Sequence, residues 1–268
     1  TVTGYGSDGP SSNLPTFDPL IQAQGGAMKD QGGDGDPVFL RVAASDYSSA
    51  IISAFGMVSA LYHRQRHNVG QRIEISLVNA ASAYQALEYF QYEGKPEVGR
   101  IGTAGHSADY RLYEASDGWL FLSCQHPAEW KRMCLAIRRE DLIEYADRKT
   151  RATSDEFLNM EIGTTIAKRS VNNWIRTFRA AHVKCAANRS INLIHHDEQA
   201  KEIGLLTENQ AFDLGNINLM GLPFKFSRTP GRLDLPAPSH GQHTDSVLQS
   251  MGYDQSSIIQ MRDESVIG

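Results

Sequence analysis

Asp46 is the side chain with the strongest claim to chemistry. It follows Ser45 and precedes a run, 47–62, that is apolar or small almost all the way round. A carboxylate in the first turn of a helix meets free backbone N–H groups and the positive end of the helix dipole. That position suits two different tasks. It can cap the helix, or it can keep a partly buried carboxylate ionised as a nucleophile. Periodicity does not choose between them.

The other candidates carry weaker patterns. His63 and His67, in H-R-Q-R-H, have the i, i+4 spacing of a metal-binding pair. They lack a third ligand and the glutamate of H-E-x-x-H, and read as a basic last turn complementing the helix dipole. His195, His196, Asp197 and Glu198 are adjacent, so on a helix they diverge and form a solvated face. Residues 4–9 match G-x-G-x-x-G but lead into Pro10, Ser11, Ser12, Asn13, Leu14 and Pro15. Those residues cannot make the helix that binds a pyrophosphate, so the segment is a loop. Cys124, Cys134 and Cys185 show no C-x-x-C spacing. They read as small buried hydrophobes in a reducing, cytoplasmic setting, with neither a disulfide framework nor a metal site.

The chain has 268 residues, 41% hydrophobic and 21% charged, enough for a sizeable core in one or two domains. Its net charge of −5 speaks against nucleic acid as the main partner, because phosphate backbones want a basic face. A small anionic ligand needs only a few local cations and remains compatible. No apolar run approaches the roughly 20 residues of a membrane span.

Around Asp46 the expected elements are those of an α/β chain. In the helix that follows it, Ile51, Phe55, Val58 and Tyr62 share one face, and Ala50, Ala54, Met57 and Leu61 another. Ser53, Gly56 and Ala60 leave a stripe of little bulk for a close neighbour. Such a helix is expected to be central and buried on most sides, with Ser45 as its N-cap. Upstream, 1–3 read as the tail of a strand, 17–24 as a short helix, 29–37 as a polar loop and 38–42 as extended. Downstream, 72–76 alternate as a strand. Residues 77–92 follow as a helix turning Leu77, Ala80, Ala81, Tyr84, Leu87 and Phe90 toward a core. Residues 94–107 are a glycine-rich linker. Then come a hairpin over 110–124 turning at Asp117-Gly118, and helices over 127–137, 154–168 and 170–182. An extended stretch over 219–230 precedes helices over 243–251 and 255–264. The division is a large α/β domain over 1–92, a linker over 93–109, a small α+β domain over 110–200 and a carboxyl-terminal segment over 201–268.

The order of Asp46, an Ala/Gly-rich helix, a basic turn, the strand G-Q-R-I-E-I-S-L and a second helix resembles the class III CoA-transferase family, which includes acyl-CoA racemases. T-G-Y-G with F-D-P-L-I-Q-A-Q-G-G, the L-P-F-K-F-S-R-T-P stretch and the closing helices resemble it too, so the likeness runs along the whole chain. The resemblance implies a Rossmann-like large domain, here only in part, a smaller α+β domain, and a carboxyl end that returns to the large domain. It implies that Asp46 carries first an acyl group and then coenzyme A, supplied as acyl-CoA, with a small carboxylic acid as the other substrate. It further implies that Gly4, Tyr5, Gly6, Phe17, Asp18, Gly102 and Gly105 line the acyl and CoA site, and that the enzyme is an interlocked homodimer. Members of the family usually carry a further hundred or so residues before this point. The chain is therefore expected to be a fragment, or one half of a split enzyme.

Two rivals follow. In racemases of this family a histidine precedes the aspartate that here is Asp18, and this chain has Phe17 there, which cannot move a proton. A non-enzymatic reading is an inactive fragment or subunit that needs a missing amino-terminal half. One departure touches the site: the family usually has glycine four residues after the aspartate, where this chain has Ala50.

Overall fold

The computed structural model describes residues 1–33, 35–93, 104–211, 214–233 and 237–268. By compactness the chain divides into Thr1–Asn188 and Arg189–Gly268. Gly102 lies outside the described residues.

The first unit opens with β1 (Val2–Thr3), α1 (Asp18–Gln24), α2 (Ala27–Gly32) and α3 (Ala44–His67), followed by β2 (Ile75–Ser76), α4 (Leu77–Tyr84) and α5 (Ala86–Tyr89). The two short strands pair in parallel, Val2 with Ile75 and Thr3 with Ser76. A parallel pair needs a long crossover, and α1 to α3 supply it. Ser76 ends β2 and caps α4, its hydroxyl accepting the Asn79 N–H at 3.2 Å. Tyr89 donates its hydroxyl to the Gly25 carbonyl at 2.6 Å, tying α5 to the end of α1.

α3 spans 24 residues, about 36 Å of rise. Its stripe of small residues meets the segment that leads into β2, as a Cβ on Gly56 would lie 3.3 Å from Ile73 and 3.9 Å from Ile75. The helix ends at Asn68 in the left-handed conformation, with Arg64, Arg66 and His67 in its last turn. His63 and His67 stack with ring centroids 4.5 Å apart, and the described residues contain no cluster able to hold a metal ion.

Several expectations fail here. Ser45 is not the N-cap. Ala43 is, and Ser45 lies inside the first turn. The helix is not buried on most sides: only Ser45 and Ser49 are buried, while Ile51 is 71%, Phe55 75% and Val58 66% exposed. An all-round apolar pattern reports surface that calls for cover, and the described residues cover one side of it. The expected loop over 29–37 overlaps α2, which starts from Gly26 at a left-handed φ of 87°. The expected helix over 77–92 breaks at Gln85. Ala80 and Ala81 are fully buried, but Leu87 and Phe90 are exposed.

The rest of the first unit is β3 (Gly105–Ser107), β4 (Tyr110–Ala115), β5 (Gly118–Ser123), α6 (Pro127–Ala136), a 3-10 stretch over Glu140–Ala146, α7 (Arg148–Thr153), α8 (Asp155–Ile166), α9 (Val171–Ala180) and β6 (Lys184–Asn188). The strands form one antiparallel sheet in the order β3-β4-β5-β6. β5 shows period-2 alternation, with Leu120 and Leu122 fully buried between outward-facing neighbours. Trp130, Met133 and Cys134 of α6, Leu158, Ile162 and Ile166 of α8, and Trp174 and Phe178 of α9 complete the core at helical spacing. Both indoles are satisfied: Trp130 donates to the Leu142 carbonyl and Trp174 to the Ile166 carbonyl, each at 2.7 Å. Burying one such leucine contributes about 2 kcal/mol. The hairpin turn is Ser116-Asp117, one residue earlier than expected, because Ala115 pairs with Gly118. β6 and α7 were not foreseen, since neither alternates cleanly.

The second unit holds a 3-10 stretch over Ile191–His196, α10 (Glu198–Glu202), β7 (Leu206–Ala211), β8 (Gly215–Met220), α11 (Thr244–Ser250) and α12 (Gln255–Asp263). β7 and β8 make an antiparallel hairpin where no strand was expected before 219. Asp197 caps α10 and pairs with Arg189 at 2.8 Å. No helix among the described residues is long and apolar enough to cross a membrane.

One ion pair anchors the antiparallel sheet to its helices. Arg151 donates to Asp109 at 2.8 Å and to the carbonyls of Ala146 and Gln125 at 2.6 Å, and its guanidinium lies 5.0 Å from the Trp130 ring centroid. Both partners are buried. Removing one charge strands the other, so Asp109→Ala should cost about 3–5 kcal/mol of stability. Paired with Arg151→Met, much of that loss should return. Denaturant unfolding followed by tryptophan fluorescence measures both, and a cost below about 1 kcal/mol for Asp109→Ala would contradict the assignment.

Candidate active site

The site is built where α1 meets the start of α3. Asp18 begins α1, with Phe17 as N-cap and Pro19 in the first turn. Ile21 is fully buried beside it and anchors the helix. Asp18 itself is buried, and its Oδ1 accepts the backbone N–H of Ser45 at 2.7 Å. This is an N-cap supplied from 27 positions away in sequence. It takes one of the four free donors at the start of α3, where Ala43 has no side-chain oxygen to offer.

Gln22, one turn along α1, completes the joint. Its Nε2 donates to Asp18 Oδ2, and also lies 3.3 Å from the Leu40 carbonyl and 3.2 Å from that of Val42. The segment expected to be extended over 38–42 is therefore held by a side-chain amide and not by a strand ladder. Gln22 Oε1 and Ser45 Oγ are buried without a hydrogen-bond partner among the described residues.

Asp46 follows in the first turn of α3, with its side chain exposed. The Ser49 hydroxyl donates to the Asp46 carbonyl at 2.8 Å, leaving the carboxylate clear of that contact. Its pKa is raised above the ordinary 3.8, first by loss of hydration and second by the negative charge of Asp18. This runs opposite to the effect of a helix dipole acting alone. The physical reason is that the carboxylate loses hydration there, and Asp18 adds a second negative charge at the same helix end.

Gly4, Tyr5 and Gly6 sit on the loop between β1 and α1. A Cβ on Gly4 would fall 1.8 Å from Thr16 Cγ2, so only glycine allows the loop this close to the residues preceding Asp18. The Gly4 carbonyl accepts the Val78 N–H at 3.1 Å, and the Gly6 N–H is taken by Thr3 Oγ1 at 3.0 Å. Phe17 is exposed. Gly105 lies in β3, paired with Arg111 at a φ of 143°, and a Cβ there would come within 2.5 Å of the Tyr110 carbonyl oxygen. The structure thus joins Asp18 to the start of α3 and sets Gly4 beside the approach to it, while Gly105 belongs to the antiparallel sheet.

Sequence reasoning missed Gln22 and the backbone of Ser45. Gln22 stands at i+4 from Asp18 on α1, a spacing that places the two on one face. The contact with Ser45 crosses 27 residues and leaves no local trace.

A succinate–glutarate CoA-transferase of Agrobacterium fabrum is 27% identical over 258 residues, 94% of this chain and 64% of its own length. A mouse succinyl-CoA:glutarate CoA-transferase is 25% identical over 274 residues, the whole of this chain and 63% of its own. The chain thus spans a little under two thirds of these curated relatives. A CAIB/BAIF family protein of Brucella suis shares the mixed α/β fold, with a TM-score of 0.77 at 22% identity over 93% of this chain and 66% of that one. The model of CoA-transferase family III matches residues 1–244, and the chain belongs to that family.

Proposed function

We propose that this chain carries the nucleophile of an acyl-CoA:carboxylate CoA-transferase, and that the nucleophile is Asp46. The observation that carries the reading is the pairing of two carboxylates at one helix end. Asp18 is buried and committed to Ser45 and Gln22, and Asp46 is exposed and uncommitted. Carboxylates in environments this different take different roles. Asp18 positions, and Asp46 reacts.

The reaction proceeds by covalent exchange. Asp46 attacks the thioester carbonyl of the donor acyl-CoA, the C–S bond breaks, and CoA leaves as the thiolate from a mixed anhydride. The thiolate then attacks the aspartyl carbonyl, releasing the first acid and leaving an aspartyl-CoA thioester. The acceptor carboxylate attacks that thioester, and the returning thiolate takes the new acyl group and frees Asp46. A raised pKa makes the ionised Asp46 a stronger nucleophile than an ordinary aspartate. Backbone N–H groups of Gly4 and Tyr5 are the candidate donors toward the developing oxyanion, since that of Gly6 is taken by Thr3; Gly102 and Gly105 are brought to the same site by the family resemblance alone. Phe17, at the position of the racemase base, excludes proton transfer through that side chain. The names of the relatives range from dicarboxylate transferases to an (R)-2-hydroxy-4-methylpentanoate CoA-transferase. The shared substrate class is a carboxylic acid.

Asp46→Ala and Asp46→Asn should each abolish transfer, a fall of at least about 10³ in rate for loss of a covalent nucleophile, with the fold retained. Hydroxylamine trapping of the wild-type protein with acyl-CoA, read by mass spectrometry, should place the adduct on the peptide containing Asp46. Transfer by Asp46→Ala would sink the mechanism.

The pKa direction gives a second expectation. Ionised Asp46 is the reactive form, so acylation should fall on the acid side through a midpoint above 3.8. Asp18→Asn keeps an oxygen for the Ser45 N–H and removes the charge, so the midpoint should move down. The same raised pKa makes Asp46 a stability contribution that is present below 3.8 and lost as pH rises through the folded-state value. Asp46→Asn should therefore be no less stable than wild type at neutral pH. A midpoint unmoved by Asp18→Asn would separate the two groups.

The working enzyme is proposed to be a homodimer with a Rossmann-like large domain. In it the exposed apolar face of α3 is covered, by the second copy or by the further length that the curated relatives carry. Dissociation should then require unfolding, not dilution. Sedimentation over a wide dilution series tests this, and a folded monomer that transfers CoA would overturn it.

A further inference from the structure

The charge of this acidic chain is strongly segregated. Residues 162–196 contain no Asp or Glu, yet carry Lys168, Arg169, Arg176, Arg179, Lys184 and Arg189. Two of these cations have carboxylate partners: Lys184 pairs with Glu129 and Arg189 with Asp197. Lys168, Arg169, Arg176 and Arg179 form no ion pair among the described residues. The nearby acid Asp117 is committed to the Val171 N–H at 2.7 Å, and Glu129 to Lys184 and the cap of α6.

Four residues of this stretch line an open concavity of about 600 Å³: Arg169, Asn173, Arg176 and Thr177. Their spacing, i, i+4, i+7 and i+8, puts them on one side of α9 and its leading turn. The opposite side is core, with Trp174 and Phe178 buried. The two guanidinium groups are held before any ligand arrives. Arg169 lies over the ring of Trp174, 5.1 Å from its centroid, a contact that suits a planar cation. Arg176 donates to Asn173 Oδ1 at 2.5 Å, which leaves the Asn173 amide nitrogen as a free donor type. Thr177 donates to the Asn173 carbonyl at 2.9 Å. The lining therefore offers fixed positive charge and N–H donors, with no carboxylate to compete.

We infer that this face of α9 is a binding site for a diphosphate group, separate from the chemistry assigned to Asp46. Guanidinium forks match phosphate oxygens in geometry as well as charge. Spacing then selects among phosphates. Arg169 precedes the start of α9 and is held over Trp174, whereas Arg176 lies within α9 and is held on Asn173, so the two guanidinium groups are anchored at separate points. A single phosphate with a contact of about 2.8 Å on each side would have to draw both side chains inward. Two linked phosphates reach both with less displacement. The diphosphate can be inorganic pyrophosphate or the diphosphate of a nucleotide, and the two sources share the chemistry that is recognised.

The test is calorimetric titration of the folded protein with pyrophosphate, ADP and inorganic phosphate, at two salt concentrations. Pyrophosphate should bind saturably with one-to-one stoichiometry, at least about tenfold tighter than phosphate, and should weaken with salt. Arg176→Gln should weaken it by about tenfold, and Arg169→Gln with Arg176→Gln should abolish it. Arg176 is exposed, so Arg176→Gln keeps the test valid if loss of the Arg169 stack disturbs folding. Arg176→Gln must leave CoA transfer by the complete enzyme unchanged, which separates this site from the proposed CoA chemistry. ADP binding with the same arginine dependence assigns the source to a nucleotide, and pyrophosphate binding alone assigns it to the free ion. Absence of saturable binding, binding unaffected by the double substitution, or tighter binding of an oligo-glutamate peptide than of pyrophosphate would each overturn the inference.

Discussion

The hydrogen bond from the Ser45 backbone to Asp18 is the contact on which the reactive region depends. A helix start with no capping side chain of its own leaves donors unsatisfied, and α3 begins at Ala43 and Ala44, which have none to give. Asp18 supplies the missing acceptor from another helix, and Gln22 extends the same joint to the carbonyls of Leu40 and Val42. A buried carboxylate is tolerated only when its oxygens are hydrogen-bonded. Here one oxygen takes Ser45 and the other takes Gln22, so the group that orders the site is itself ordered by it. Asp46, the next residue after Ser45, inherits its position from that bond.

The arrangement also explains how one helix end carries two acids without making them equivalent. The donors at the start of α3 favour negative charge, but Asp18 already occupies the Ser45 N–H. Asp46 therefore has a thinner water shell and, second, feels the charge of Asp18, and its proton affinity rises. For the nucleophile proposed here, which attacks a carbonyl and is later released from an acyl bond, intermediate basicity is useful. A carboxylate held very low would be a poor nucleophile, and one held very high would be protonated when needed.

Much of this was legible in the residues. Asp46 falls in the first turn of its helix, as the pattern places it. The small stripe of Ser53, Gly56 and Ala60 does receive a close neighbour, Ile73. The alternation of Leu120 and Leu122 marks a real hairpin. What failed has physical causes. The start of α3 was misassigned by two residues because a Ser before an Asp is the stronger local signal, whereas the true cap comes through space. The turn at Ser116-Asp117 was displaced because Gly118, at a φ of 153°, belongs to the strand. β6, K-C-A-A-N, is short and bland, and it becomes a strand only because β5 offers it an edge. Burial of α3 was overestimated because periodicity records how apolar a face is, not whether this chain covers it.

That last point divides the first unit into two physically unlike parts. Residues 104–188 close a core in which both buried indoles, the Tyr113 hydroxyl and the Asp109–Arg151 pair are satisfied, and there Arg132 Nε alone is a buried side-chain atom without a partner among the described residues. Residues 1–93 hold Asp46, and there Thr16 Oγ1, Gln22 Oε1, Ser45 Oγ and Ser53 Oγ are buried without partners among the described residues. The same part leaves Ile51, Phe55, Val58, Leu87 and Phe90 exposed. Orphaned hydroxyls and uncovered apolar faces together mark a surface that is complete only when something packs on it. In the proposed mechanism, a mixed anhydride on Asp46 must be shielded from water to survive transfer. In the proposed enzyme, the cover that stabilises α3 and the cover that protects the intermediate would lie over the same helix, so that completing the fold also closes the site.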